Sequence, residues 1–186
     1  MNPSQPIHIN LARLLREGGS AEAEGAIQEA LDLGGEALPL EGQAPWRVSV
    51  TRVSGEHEYE FWMSGEITGN AILECRRCLT PTPTPIRAYF QNLLRYAPGV
   101  EGLEVLEQDD EEIFLFGHPN LDLQPLLTEA FALELPITVL CKEDCKGLCP
   151  VCGANRNQTD CGHLEPSSRL GNELERWLDH LDPPQN

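Results

Sequence analysis

The chain has 186 residues, 40% of them hydrophobic, and a formal charge of −17. That composition supports one ordinary domain plus a small lobe and excludes wholesale disorder, and the negative charge opposes non-specific attachment to phosphate backbones. The opening MNPSQPIHINLARLLREGG has no apolar run of signal-peptide length and no later stretch approaches a membrane span, so the expectation is a soluble, cytoplasmic protein with reduced thiols.

In chain order, residues 10–17 and 21–33 are predicted as two short amphipathic helices. In the second, Ala23, Ala26, Ile27, Ala30 and Leu31 recur at helical spacing, and Gly34 and Gly35 stop it. From Trp46 the period changes to two, with Trp46, Val48 and Val50 alternating against Arg47, Ser49 and Thr51. Residues 57–64 are rich in aromatics, and Ile67, Gly69, Ala71, Leu73 and Cys75 then share one face. After TPTPTP, read as a turn, Ile86, Ala88 and Phe90 continue the pattern. Antiparallel strands over residues 46–95 follow, forming a sheet or partly closed barrel whose inner face needs a cover.

Residues 101–112, EGLEVLEQDDEE, read as a solvated acidic loop. A helix over 122–135 is the expected cover, capped by Asp122, with Leu123, Leu126, Leu127, Ala130 and Phe131 inward and Pro125 in its first turn. Leu170, Leu174, Trp177, Leu178 and Leu181 mark a last helix. The fold class is therefore α+β. Residues 1–140 form the main domain, and residues 141–186 form a cysteine-rich, zinc-binding lobe with a C-terminal helix.

The charge is uneven. Residues 46–98 carry six Arg against five Glu, while the rest of the chain holds the acidic surplus. Acidic flanks suit a basic partner, and a near-neutral middle can approach RNA.

Seven cysteines cannot all pair as disulfides. Their spacing is Cys75-x2-Cys78, then Cys141-x3-Cys145-x3-Cys149-x2-Cys152-x8-Cys161-x-His163. Structural zinc takes four tetrahedral Cys or His ligands, and His163 brings the set to eight. Cys149, Cys152, Cys161 and His163 can close a local site. Cys75, Cys78, Cys141 and Cys145 then form another, bridging segments far apart in sequence. Four-cysteine sites also suit iron, and a CxxC can serve redox chemistry, although Cys75 to Cys78 enters a Pro-rich stretch and not the strand-to-helix turn such motifs favour. The sequence has no Gly-rich phosphate loop, no G-x-S-x-G and no H-E-x-x-H. With both metal sites full, no open coordination position remains, and the expectation is a protein that is not an enzyme.

Three blocks together, LECRRCLTP (73–81), LDLQPLLTEAFALELPITVLC (121–141) and CKGLCPVCGANRNQTDCGH (145–163), resemble the YceD family, also known as DUF177. The resemblance implies a role in accumulation of 23S ribosomal RNA and in large-subunit biogenesis, and it brings no catalytic residues. The chain departs from the family pattern at His163, usually Cys, and at Arg156, usually Leu. The implied partner is a large-subunit precursor, met through its RNA or through a ribosomal protein, with no small-molecule substrate. Arg76 and Arg77, beside the first CxxC, are the candidate contacts. The alternatives are an acidic zinc-binding adaptor for a basic ribosomal protein, and a thiol or metal sensor.

Overall fold

The computed structural model describes residues 7–54, 59–108, 111–163 and 177. The elements in order are β1 (His8–Asn10), α1 (Ala12–Glu17), β2 (Ser20–Asp32), β3 (Ala37–Val53), β4 (Glu60–Glu74), β5 (Pro81–Tyr96), β6 (Leu103–Gln108), β7 (Glu111–Phe116), β8 (Asn120–Asp122) and α2 (Gln124–Leu133). The chain divides into two compact units, residues 1–73 with 81–139, and residues 74–80 with 140–186.

The first unit is a six-stranded sheet of order β2-β3-β4-β5-β7-β6, with a separate β1-β8 pair. Most described pairings are antiparallel, but Leu93–Tyr96 of β5 run parallel to Ile113–Phe116 of β7. The sheet is thus mixed and open, with β2 and β6 at its edges, and it does not close into a barrel. Alternation along β3 and β4 puts Val48, Val50, Phe61, Met63, Ile67 and Ala71 on a fully buried face. Helix α2 supplies Leu126, Leu127, Ala130 and Phe131 to the same core, as their spacing predicts. A Cβ at Gly69 of β4 would lie 3.5 Å from Phe131 Cε2, which shows how closely α2 lies on the sheet. At the start of α2, Asp122 Oδ1 accepts a hydrogen bond from the Gln124 N–H at 3.0 Å.

Three expectations need correction. Where a helix over 21–33 was expected, residues 21–32 lie in strand β2. A bulge between Gln28 and Ala30, with Glu29 at φ 63, resets the two-residue alternation, and the resulting phase jump imitates helical spacing at Ile27 and Leu31. The TPTPTP stretch lies largely inside β5. Described pairing to β7 begins only at Leu93, so the missing N–H groups of Pro81, Pro83 and Pro85 cost no bond to β7. Within the expected acidic loop, residues 103–108 form strand β6, and Glu111 and Glu112 begin β7. Strand β6 lies exposed on both faces beyond Leu103, so its sequence carries no alternation to detect. Helix α1 falls within 10–17 as expected. The C-terminal helix lies outside the described residues, apart from Trp177, which is helical and exposed.

Strands β4 and β5 are neighbours. The Tyr96 N–H donates to Tyr59 O at 3.0 Å, and Arg95 pairs with the buried Glu60 at 2.8 Å. In the same register Gly65 meets Phe90, where a Cβ would sit 2.3 Å from Cζ of the ring. Gly65→Ala must displace a packed aromatic ring and is expected to cost about 1–3 kcal/mol. Thermal unfolding checks this, and an unchanged midpoint would contradict it.

Candidate metal centres

The second unit is built around two groups of ligand atoms. Cys75, Cys78, Cys141 and Cys145 form one group, and Cys149, Cys152, Cys161 and His163 form the other. Within each group the ligand atoms lie within 4.8 Å of one another.

The first group starts at the turn between β4 and β5. The Cys75 N–H donates to Thr80 O at 3.0 Å, and the Leu79 N–H donates to Cys75 O at 2.8 Å, with Leu79 held at φ 57. This turn aims both sulfurs to one side. Residues 141–145 supply the other two, through a turn closed by the Cys145 N–H on Lys142 O at 3.1 Å. Cys75 and Cys145 sulfurs are 3.8 Å apart, and Cys78 and Cys141 sulfurs 3.5 Å apart. Disulfide sulfurs sit about 2.05 Å apart. Thiolates at tetrahedral corners around zinc, each bonded at ~2.3 Å, are about 3.8 Å apart. The spacing matches the tetrahedron. Cys75, Cys78 and Cys145 are buried, and Cys141 is half-buried.

Side chains that sequence reasoning passed over hold this geometry. Asn157 Nδ2 donates to Cys145 Sγ at 3.3 Å, while Asn157 Oδ1 accepts from the Lys146 N–H at 2.9 Å. Asn155 Oδ1 accepts from Asn157 Nδ2 at 2.9 Å, and Asn155 Nδ2 donates to Thr80 Oγ1 at 3.3 Å. That hydroxyl lies 3.1 Å from Cys78 Sγ and can point its proton at the sulfur. Such second-layer donors orient ligands and stabilise thiolate charge. The only sequence signal for them was the pair of Asn residues, 155 and 157, between the last ligands. Gly147 is held at φ 73, and a Cβ there would come within 3.0 Å of Arg77 O. Gly147→Ala combines left-handed strain with that collision and is expected to cost about 1–3 kcal/mol. Metal-loaded protein should melt earlier and give up its ions to a chelator faster. Unchanged melting and unchanged release would contradict this.

The second group grows from the CPVCG turn. The Gly153 N–H donates to Cys149 O, and the Cys149 N–H donates to Ala154 O, both at 2.8 Å, with Gly153 at φ 73. A bridge between Leu148 and Asn155 closes the loop. Cys149 is buried, Cys161 half-buried, and Cys152 and His163 exposed.

The thiols do not share one ordinary acidity. Burial pushes Cys75 up, but backbone N–H groups of Cys141, Arg77 and Cys78 outweigh it and bring it down to about 6. The Thr80 hydroxyl and backbone N–H lower Cys78. Cys141 is pushed up to about 12, first by the Cys78 sulfur, then by burial and the Cys145 and Cys75 sulfurs. In the second group, backbone N–H groups of Cys152 and Val151 bring Cys149 down to about 6, against the opposing effect of burial. Neighbouring thiols in such a cluster oppose one another's ionisation, because each thiolate disfavours the next. A divalent cation removes that conflict. Ligand identity, spacing and electrostatics all fit a metal ion at each group.

Of the two candidate contact residues, Arg77 is engaged within the unit. Its Nη1 donates to Cys145 O at 2.9 Å, and its own carbonyl accepts from the Leu148 N–H at 3.0 Å. Arg76 is exposed.

These features define a mixed-sheet protein with a separate unit organised around two clusters of metal-ligating side chains. A family model described as "Large ribosomal RNA subunit accumulation protein YceD" matches residues 63–177, a span holding all eight candidate ligands. The chain belongs to the YceD family. An uncharacterized protein of Mycobacterium tuberculosis strain H37Rv is 28% identical over 151 residues, covering 81% of this chain and 70% of its own. One from Mycobacterium leprae is 27% identical over 182 residues, covering 96% and 79%. The Zea mays "Large ribosomal RNA subunit accumulation protein YCED homolog 1, chloroplastic" is 26% identical, covering 88% of this chain and 66% of its own. No solved structure matches the chain.

Proposed function

We propose that this protein is a non-catalytic, cytoplasmic factor that supports accumulation of 23S ribosomal RNA during large-subunit biogenesis, with one structural zinc ion in each ligand group. The family match over residues 63–177 carries this reading. The maize relative's printed name points to the same process. Bound zinc would neutralise clustered thiolates and tie their loops together. The chain's own residues do the rest. Asn157 and Thr80 steady the sulfurs, Gly147 allows the close approach to Arg77, and Arg77 clamps the loop that carries Cys145. Two complete sets of four ligands leave a metal no open position for substrate, which favours scaffolding over catalysis. Among the described residues no helix is long and apolar enough to cross a membrane.

Arg76 is the better placed of the two arginines for an external phosphate, because Arg77 already serves Cys145 O. The test is depletion of the protein from its host, followed by the ratio of 23S to 16S ribosomal RNA. The ratio should fall, and the wild-type gene should restore it. An unchanged ratio in fully depleted cells would overturn the reading.

A further inference from the structure

Strand β6 is an open sheet edge with an unusual surface. Among the described residues no strand pairs with its outer side, because the sheet order ends at β6. An open edge presents backbone N–H and C=O groups at alternate residues, ready for another strand. Six residues at about 3.4 Å rise give a track of roughly 20 Å. Val105 and Leu106 point to opposite faces and are 56% and 38% exposed, so an added strand would find an apolar neighbour on either side. The opposite edge, β2, has no large exposed apolar side chain.

Charge then selects the occupant. Glu101, Glu104, Glu107, Glu111 and Glu112 are all exposed around this edge. No Lys or Arg occurs between Arg95 and Lys142. Arg95 is held by Glu60 at 2.8 Å and reaches Gln108 at 3.5 Å. A second copy of this chain, at −17, would be repelled, as would a phosphate backbone. An extended segment rich in Lys or Arg would be attracted, and its main chain could complete the ladder.

We propose that β6 is a docking edge for an extended, Lys/Arg-rich protein segment, which binds by adding a strand to the sheet. This deepens the reading of the protein as a large-subunit factor by assigning one protein partner class to one edge, and it rests on that reading for its biological setting only. Binding to the isolated protein is independent of ribosomal RNA levels, so each idea can fail alone.

The probe is a synthetic peptide of alternating lysine and valine, titrated into the full chain at low and raised salt. Hydrogen exchange follows the backbone amides. Wild type should bind, more weakly as salt rises, with new protection confined to β6. Glu104→Arg with Glu107→Arg should weaken binding by roughly tenfold or more. Glu22→Arg with Glu41→Arg, an equal change in net charge made elsewhere, should leave it within about twofold of wild type. No binding, equal loss in both variants, or protection lying elsewhere would overturn the proposal. So would β6 protection by single-stranded poly-U in place of the peptide. The hydrogen-exchange arm uses wild-type protein and holds even if the variants fold poorly.

Discussion

Stripping the metal with a strong chelator is expected to unfold residues 74–80 and 140–163 while the six-stranded sheet stays folded. The reason lies in what each unit buries. The first unit has an extended apolar core, including Phe61, Phe116, Phe131, Leu123 and Leu127 at or near zero exposure. Among the described residues of the second, the buried cluster is Cys75, Cys78 and Cys145, with Cys141 and Leu148 packed against it. Sulfur atoms stand where a core would be. Without a cation those sulfurs repel as they ionise, and little apolar burial offsets the entropy of ordering the loops. Structural zinc in small domains contributes on the order of 10 kcal/mol, and that binding energy is folding energy. Residue-resolved hydrogen exchange should therefore show loss of protection at Cys75, Leu79, Leu148, Cys149 and Gly153, whose amide hydrogen bonds belong to this unit. Strands β3 and β4 should keep theirs. Retention of all five amides after complete metal removal would contradict this.

Single-ligand replacement should separate the two groups. Cys75→Ser is expected to destabilise the second unit more than Cys161→Ser does. The first group joins segments far apart, with Cys78 and Cys141 sixty-three positions from each other. The second closes a loop of only a dozen positions. Loop-closure entropy alone favours the first as the stronger constraint by about 1.5 kcal/mol. Burial adds to this, since three of the four ligands in the first group are buried against one in the second. Removing a ligand there also leaves Asn157 and Thr80 facing a broken set. Loss of a structural ligand should cost several kcal/mol at the first group and less at the second. Thermal melts of both variants, each with its metal content measured, decide the order. A lower midpoint for Cys161→Ser would contradict it.

The grouping of these Cys and His side chains was legible because cysteine spacing is a chemical constraint written directly in the chain. Two residues between sulfurs suit a tight turn wherever it occurs, so Cys75 to Cys78 and Cys149 to Cys152 needed no knowledge of the fold. Helix α2 was equally plain, since Leu126, Leu127, Ala130 and Phe131 have one period and one destination. The failures share a cause: local pattern is set by burial, and burial is a property of the assembled sheet. Strand β2 alternates correctly over Ala21, Glu22, Ala23 and Glu24, but the bulge at Glu29 breaks the phase. Strand β6 buries almost nothing, so its residues had no reason to alternate. The prolines of β5 signal a turn unless it is known that the described pairing to β7 begins only at Leu93. Arg77 has a role inside the unit that sequence alone does not report. A guanidinium beside a metal ligand looks available in sequence, whereas the fold brings the Cys145 carbonyl to within 2.9 Å of it.

Eight side chains are expected to hold two metal ions. Elemental analysis combined with native mass spectrometry, on protein purified without chelator or added metal, tests it most directly. Two zinc ions per chain are expected, falling to one in Cys161→Ser. A reproducible stoichiometry of one in the wild-type protein, or iron in place of zinc, would contradict it.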